Sequence, residues 1–239
     1  MSEHRALNNN EHRDLRVLTD ASAELGDGVM ACLTVPHEFR QVQACFPIVF
    51  RRDQETDTFS ALALFGFTNG ENLFLESDRW DARYKPMSLS IQPFLVALPK
   101  DGQGDAQVHI DMGHPRISSS GEGVRVFDED GQATPYLETI IEKLGTLDAA
   151  YRASGEFFAA LKRYELLEPF SLEVPLADGS KHSLVGFHII NEEKLQALGA
   201  DELADLHSGN HLMPIFMALA SLSHFSELVD RKNRRLSGG

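Results

Sequence analysis

His109 and Asp111 stand two positions apart in the run Gln107-Val108-His109-Ile110-Asp111-Met112. On a strand, alternate side chains leave the same face, so this imidazole and this carboxylate can reach one ion. With a distant third ligand such as His188 they would form a two-histidine, one-carboxylate facial triad, the arrangement suited to non-haem Fe(II) and O₂ chemistry. No arginine at a recognisable offset offers itself to an oxo-acid co-substrate. His-x-Asp is also a short pattern in a chain with 10 histidines, and the competing reading is a hydrogen-bonded structural pair with no metal. His207 and His211 have the four-residue spacing of His-Glu-x-x-His. Between them, however, lies Ser208-Gly209-Asn210, without the glutamate and with a helix-breaking glycine.

A second constellation is Arg79-Trp80-Asp81-Ala82-Arg83-Tyr84, which interleaves the only tryptophan of the chain with two guanidinium groups and a phenol. Trp and Arg on a loop beside a sheet suit contact with a ligand or partner. The alternative packs Trp80 on the sheet edge and pairs the arginines with Asp78 and Asp81. There is no Gly-x-Ser-x-Gly elbow, no phosphate-binding Gly-x-x-x-x-Gly-Lys loop and no Gly-x-Gly-x-x-Gly after a strand. Asp128-Glu129-Asp130-Gly131 lacks the spacing of a calcium loop and reads as a turn.

The 239 residues carry 36 acidic and 22 basic side chains, a net charge of −14. Four of the basic residues, Arg231, Lys232, Arg234 and Arg235, sit together near the C-terminus. A body this acidic repels phosphate backbones and anionic lipid, which argues against nucleic acid as a partner. Cys32 and Cys45 make neither a disulfide framework nor a CxxC metal site, and a reducing compartment fits them. Met1 to Arg16 has no apolar core of a secretory signal. The longest apolar stretch, Leu212 to Ala220, contains Pro214 and falls short of the about 18 residues that a spanning helix needs. A cytoplasmic location without a membrane span is the expectation.

The elements that must position these residues are mainly hairpins. Val29–Val35 and Pro47–Arg51 read as strands. Thr58–Phe67 places Phe59, Ala61, Ala63, Phe65 and Phe67 on one face and Leu62 and Leu64 on the other, a strand covered on both sides. Asn69-Gly70 predicts a hairpin into Asn72–Glu76. Pro93–Leu98, Gln107–Met112 and Val124–Phe127 are further strands, with a turn at Asp101–Asp105. Thr134 and Pro135 open a helical stretch that breaks near Gly145, giving two helices up to Leu167. Phe170–Leu176 and His182–Ile190 form a second hairpin through Asp178-Gly179. Asn191 and Asp201 cap short helices, and a last helix runs from His211 to Val229. The predicted class is α+β, a mostly antiparallel sheet built from hairpins with helices inserted centrally and at the C-terminus.

In order and spacing, "GFTNGENLFLESDRWDARYKPMSLSIQPF", "HIDMGHPRIS", "GEGVRVFDEDGQATPYL", "LLEPFSLEVPL" and "GFHIINEEKLQAL" resemble the bacterial SapC family. The resemblance runs from about Val29 to Leu228. Asn72, Trp80, Tyr84, Pro86, Pro93, Phe94, Asp111 and Arg116 match the family pattern. Ser88, Ser90 and Ile91 depart from the aromatic and basic run found there, and His109 is not the usual residue at its position. The resemblance implies a tie to surface-layer or outer-envelope transport loci and brings no established activity.

The expected organisation is a polar lead over residues 1–28, one SapC-like domain over 29–230 and a basic, flexible tail over 231–239. The expected function is a non-catalytic accessory or binding protein whose partner is a protein of an envelope or transport system. Its contact residues would be Asn72, Arg79, Trp80, Arg83, Tyr84 and Arg116, with no cofactor. The alternative is an Fe(II) oxygenase-like enzyme using His109, Asp111 and His188.

Overall fold

The computed structural model describes residues 3–76, 79–97, 106–176, 179 and 181–237. The expected turn at Asp101–Asp105, the Asp178 half of the second hairpin turn, and Asp78 as a partner for the arginines lie outside the described residues. In chain order the strands are β1 (His4–Ala6), β2 (Arg16–Val17), β3 (Ala31–Thr34), β4 (Ile48–Arg52), β5 (Phe59–Leu64), β6 (Leu75–Glu76), β7 (Arg79–Trp80), β8 (Phe94–Ala97), β9 (Gln107–Asp111), β10 (Val124–Arg125), β11 (Leu167–Pro175) and β12 (Lys181–Ile190). The helices are α1 (Phe39–Val42), α2 (Met87–Ser90), α3 (Pro135–Arg163), α4 (Glu192–Gln196), α5 (Ala200–Ser208), α6 (Leu212–Ser221) and α7 (His224–Ser237). Every strand pair among them is antiparallel, which with the helices is the expected α+β class.

The chain divides into two compact units. Unit 1 is Met1–Gly28, Leu75–Trp80 and Met87–Ala149, and unit 2 is Val29–Phe74, Asp81–Pro86 and Ala150–Gly239. The segments of the two units alternate along the chain, and no long linker separates them.

Unit 1 absorbs the stretch read as a polar lead. Strand β1 pairs with β9, which pairs on its other side with β8. Strand β2 pairs with β10, Val17 opposite Val124. The lead folds because Leu7, Leu15 and Val17 are apolar points in a polar run. Val17 is wholly buried with Phe94, Ile110 and Val126, and Leu7 and Leu15 pack against that cluster. Leu137, Ile140 and Leu144, on the first turns of α3, close this core. The Thr134 hydroxyl accepts from the Leu137 N–H at 3.4 Å, the expected cap, with Pro135 at the first helical position.

Helix α3 is continuous over 29 residues where two helices were expected. Nothing crowds Gly145. A glycine in that setting costs a helix about 1 kcal/mol relative to alanine, which the packed flanking residues outweigh.

In unit 2 the sheet order is β11-β12-β4-β5-β3. Ala61 to Phe65 are buried on both faces, as their unbroken apolar run predicts. Asn69-Gly70 does turn the chain, with Gly70 at φ +82° and the Glu71 N–H on the Thr68 carbonyl. The partner differs from expectation: β5 pairs with β3 and β4, and β6 pairs with β7. Gly66 permits the close return, since a Cβ there would lie 2.6 Å from the Glu71 carbonyl oxygen. The β11/β12 hairpin forms as predicted, with Gly179 at φ +83°.

Asn191 caps α4 by accepting from the Lys194 N–H at 2.8 Å. The cap of α5 is Gly199 and not Asp201: its N–H donates to the Glu202 carboxylate at 2.7 Å. The expected last helix is two, α6 and α7, and residues 231–237 of the expected flexible tail belong to α7. The stretch Leu212–Ser237 contains an 18-residue window of mean hydropathy 1.5, of which 22% is buried; by length and composition alone it could cross a membrane. Both cysteines are free thiols, Cys45 buried and Cys32 half-buried.

Candidate functional site

The residues expected to form one contact surface divide between the units, and each is described within its own. In unit 1 the turn after β9 carries Asp111, His114 and Arg116. One Asp111 oxygen accepts from the Glu3 N–H at 2.7 Å and the Gly113 N–H at 3.0 Å, holding β1 and the turn. The Arg116 guanidinium is 3% exposed. It donates to the Asp27 carboxylate at 2.6 Å and to the carbonyls of Leu18 and Asp20 at 2.9 Å each. Expected on a binding surface, Arg116 is instead inside unit 1, where its charge is met by a fully buried Asp27 and two carbonyls. Gly26, at φ +95°, lets the Asp27 segment approach the turn: a Cβ there would stand 3.2 Å from the His114 ring.

His114 accepts at Nδ1 from the Arg116 backbone N–H at 3.2 Å. Burial, and then the neighbouring Arg116 charge, hold its pKa below the ordinary 6.5. The folded chain thus prefers neutral His114, while the unfolded chain binds the proton more readily. Its contribution is complete above pH 6.5 and is lost as the pH falls through the lowered folded value. His188 in unit 2 is shifted the same way, by burial and then by Arg52. Stability measured by urea titration is expected to fall as the pH drops below the ordinary histidine value of about 6.5. His114→Gln should flatten part of that slope; an unchanged slope in His114→Gln would exclude this residue as the source.

Also in unit 1, Arg79 and Trp80 form β7, with Trp80 opposite Leu75. Arg79 is exposed and Trp80 half-buried, so the indole rests against its hairpin without being enclosed.

In unit 2, Tyr84 donates to Glu38 Oε2 at 2.7 Å and the Thr34 hydroxyl donates to Glu38 Oε1 at 2.8 Å. Glu38 is 2% exposed, a buried carboxylate held by two hydroxyls. Burial, then that carboxylate, push the Tyr84 phenol well up, so it remains a protonated donor. Sequence reading did not find Glu38, because its partner Tyr84 lies 46 positions away and no local pattern marks it. Asn72 is buried, its side chain accepting from the Phe74 N–H at 2.9 Å. Arg83 is exposed.

Three of the four basic residues of α7 bond to the same segments of unit 2, and Arg234 is exposed. Arg231 donates to Asp81 at 2.8 Å and to Glu227 at 3.0 Å, and its guanidinium lies 4.3 Å from the Phe74 ring centre. Lys232 bonds Glu71 at 2.5 Å, and Arg235 donates to the Asn72 carbonyl at 2.7 Å. Burial of Glu71 opposes its ionisation, but Lys232 and the Phe67 N–H outweigh that and lower its pKa.

The facial-triad residues are not brought together within either unit. His109 and Asp111 lie on β9 in unit 1, and His188 lies on β12 in unit 2 with its ring 5.2 Å from that of Phe59. Among the described residues no group of three His, Cys, Asp or Glu side chains is placed to hold a metal ion.

The SapC family model matches residues 7–228, most of the chain, and the protein belongs to the SapC family. No curated protein and no solved structure matches it. The residues that carry the family pattern are largely those just described. Asn72, Pro86, Pro93, Phe94 and Arg116 are buried, and Tyr84 and Asp111 serve internal bonds.

Proposed function

We propose that this SapC-family chain is a non-catalytic accessory or binding protein of a bacterial envelope or surface-layer system, acting from the cytoplasm. The observation that supports this reading is how the polar members of the family pattern are used. Arg116 is committed to Asp27 and two carbonyls, Tyr84 to Glu38, Asn72 to Phe74, and Asp111 to Glu3 and Gly113. General acid–base or nucleophilic work needs side chains with bonding capacity left for a substrate. The groups with such capacity in the Arg79–Tyr84 segment are the exposed guanidiniums of Arg79 and Arg83, residue types suited to the edge and anchors of a protein contact.

The test is affinity capture of the tagged full chain from cells in which it is native, with envelope and cytosolic proteins quantified against a tag-only control. Enrichment of a component of an envelope or transport system is expected. Capture of cytosolic metabolic proteins alone, or turnover by the purified chain that depends on added Fe(II), would overturn the reading.

A further inference from the structure

Within unit 2 the segment Asp81–Tyr84 is fastened at both ends. At its start the Asp81 N–H donates to the Phe74 carbonyl at 2.7 Å, and the Asp81 carboxylate accepts from Arg231 at 2.8 Å. Arg231 also donates to the Asp81 carbonyl at 3.3 Å and to Glu227 at 3.0 Å, with its guanidinium 4.3 Å from the Phe74 ring centre. At its end the Tyr84 hydroxyl donates to the buried Glu38 at 2.7 Å. Between the two fastenings stands Arg83, exposed, and among the described residues its side chain has no hydrogen bond or ion pair. The acidic residue two positions before it, which an arginine on a free loop would pair with, is engaged by Arg231 instead. A side chain displayed on a backbone already held on either side loses little further freedom when it binds.

We propose that Arg83 anchors a carboxylate-rich segment of the partner protein, and that Arg231 is the positioning residue that keeps Arg83 available by holding Asp81. The inference rests on the reading of Arg83 as a contact residue given above, and adds the chemistry of what it contacts. A guanidinium takes a carboxylate or a phosphate through paired N–H bonds. The charge of the whole chain decides between them. With 36 acidic side chains and a net charge of −14, an extended phosphate array would meet repulsion over its full footprint, whether a nucleic acid or an anionic bilayer. A short acidic segment meets mainly the charges near Arg83, because those beyond about 8 Å are largely screened at physiological ionic strength. Arg231 suits its role because its side chain is only 11% exposed and bonds Asp81 at both the carboxylate and the carbonyl. Without it, Asp81 is free to turn to Arg83 and occupy the guanidinium that the partner needs.

Fluorescence anisotropy of a labelled hexaglutamate peptide, titrated with the full chain, tests this. Saturable binding that weakens as sodium chloride is added is expected. Arg83→Gln alters an exposed side chain, so it should keep the melting temperature and weaken binding by roughly tenfold. Arg231→Gln should weaken binding by a similar factor, because Asp81 is released. Asp81→Asn/Arg231→Gln should restore it to within about twofold of the parent chain, since no carboxylate is left to occupy Arg83. A purely structural role for Arg231 would not be rescued by the second substitution. Asp81→Asn alone leaves Arg231 in place and should bind at least as tightly as the parent, a result that does not depend on how Arg231→Gln folds. Absence of binding, binding indifferent to Arg83→Gln, or weaker binding by Asp81→Asn would overturn the proposal. So would Arg83-dependent binding of single-stranded RNA or phosphatidylglycerol vesicles that is tighter than that of the peptide. The titration needs no envelope component, so its failure leaves the capture result standing, and failed capture leaves the titration standing.

Discussion

Arg116→Ala is expected to lower the stability of the folded chain by about 3–5 kcal/mol, because it takes the counter-charge from a buried carboxylate. Asp27 is 0% and Arg116 3% exposed, and the two meet at 2.6 Å. The same substitution removes the donors to the Leu18 and Asp20 carbonyls, which tie the segment ahead of Asp27 to the turn after β9. Urea denaturation of the variant, followed by circular dichroism, measures the loss. The double variant Asp27→Ala/Arg116→Ala should lose less than the sum of the single losses, by about 0.5–3 kcal/mol, since no lone charge remains. A surface ligand contact would behave otherwise: Arg116→Ala would then leave the denaturation midpoint unmoved.

Phe46→Ala is the second large effect, expected at about 3–5 kcal/mol in unit 2. Phe46 is wholly buried and meets Phe65 edge-on at 5.0 Å and Phe74 edge-on at 4.7 Å between ring centres. Edge-to-face pairs add about 0.5–1.5 kcal/mol beyond the burial itself. The loss is compounded by what Phe74 supports. Its ring carries the Arg231 guanidinium at 4.3 Å, and its carbonyl accepts from the Asp81 N–H at 2.7 Å. Phe46→Leu, which keeps most of the volume, should recover more than half of the midpoint shift. Equal losses in the two variants would mean that ring geometry and not the cavity sets the cost.

The sequence carried the local elements well where a period or a cap is written in adjacent residues. The covered strand over Ala61–Phe65, the Thr134-Pro135 helix start, the Asn191 cap and the β11/β12 hairpin each depend on neighbours in the chain. What was not legible depends on residues far apart. Val17 looks like an isolated valine in a polar stretch until Val124 is set opposite it. Asn69-Gly70 turns the chain as its chemistry requires, yet the pairing partner is decided by the sheet and not by the turn. Gly145 suggested a break, and the helix continues because the core packing around Leu144 outweighs one glycine.

The candidate site divides along the same line. Residue type alone made Arg116 and Tyr84 equivalent to Arg79 and Arg83. The difference lies in their partners, Asp27 at 89 positions and Glu38 at 46 positions, which no local motif announces. Of the facial-triad residues, His109 and Asp111 share β9 in one unit and His188 sits on β12 in the other. A pattern read on one strand carries no information on where a distant third ligand lies.

We propose a division of labour: the enclosed polar residues of the family pattern hold the fold, and the exposed Arg79 and Arg83 each contribute to binding an envelope partner. Capture by the Arg79→Glu and Arg83→Glu chains, singly and together, with the melting temperature recorded in parallel, tests that division most directly. The predicted result is an unchanged melting temperature with recovery of the envelope component reduced by roughly tenfold in the double variant. Undiminished recovery, or a loss that merely follows a lowered melting temperature, would contradict it.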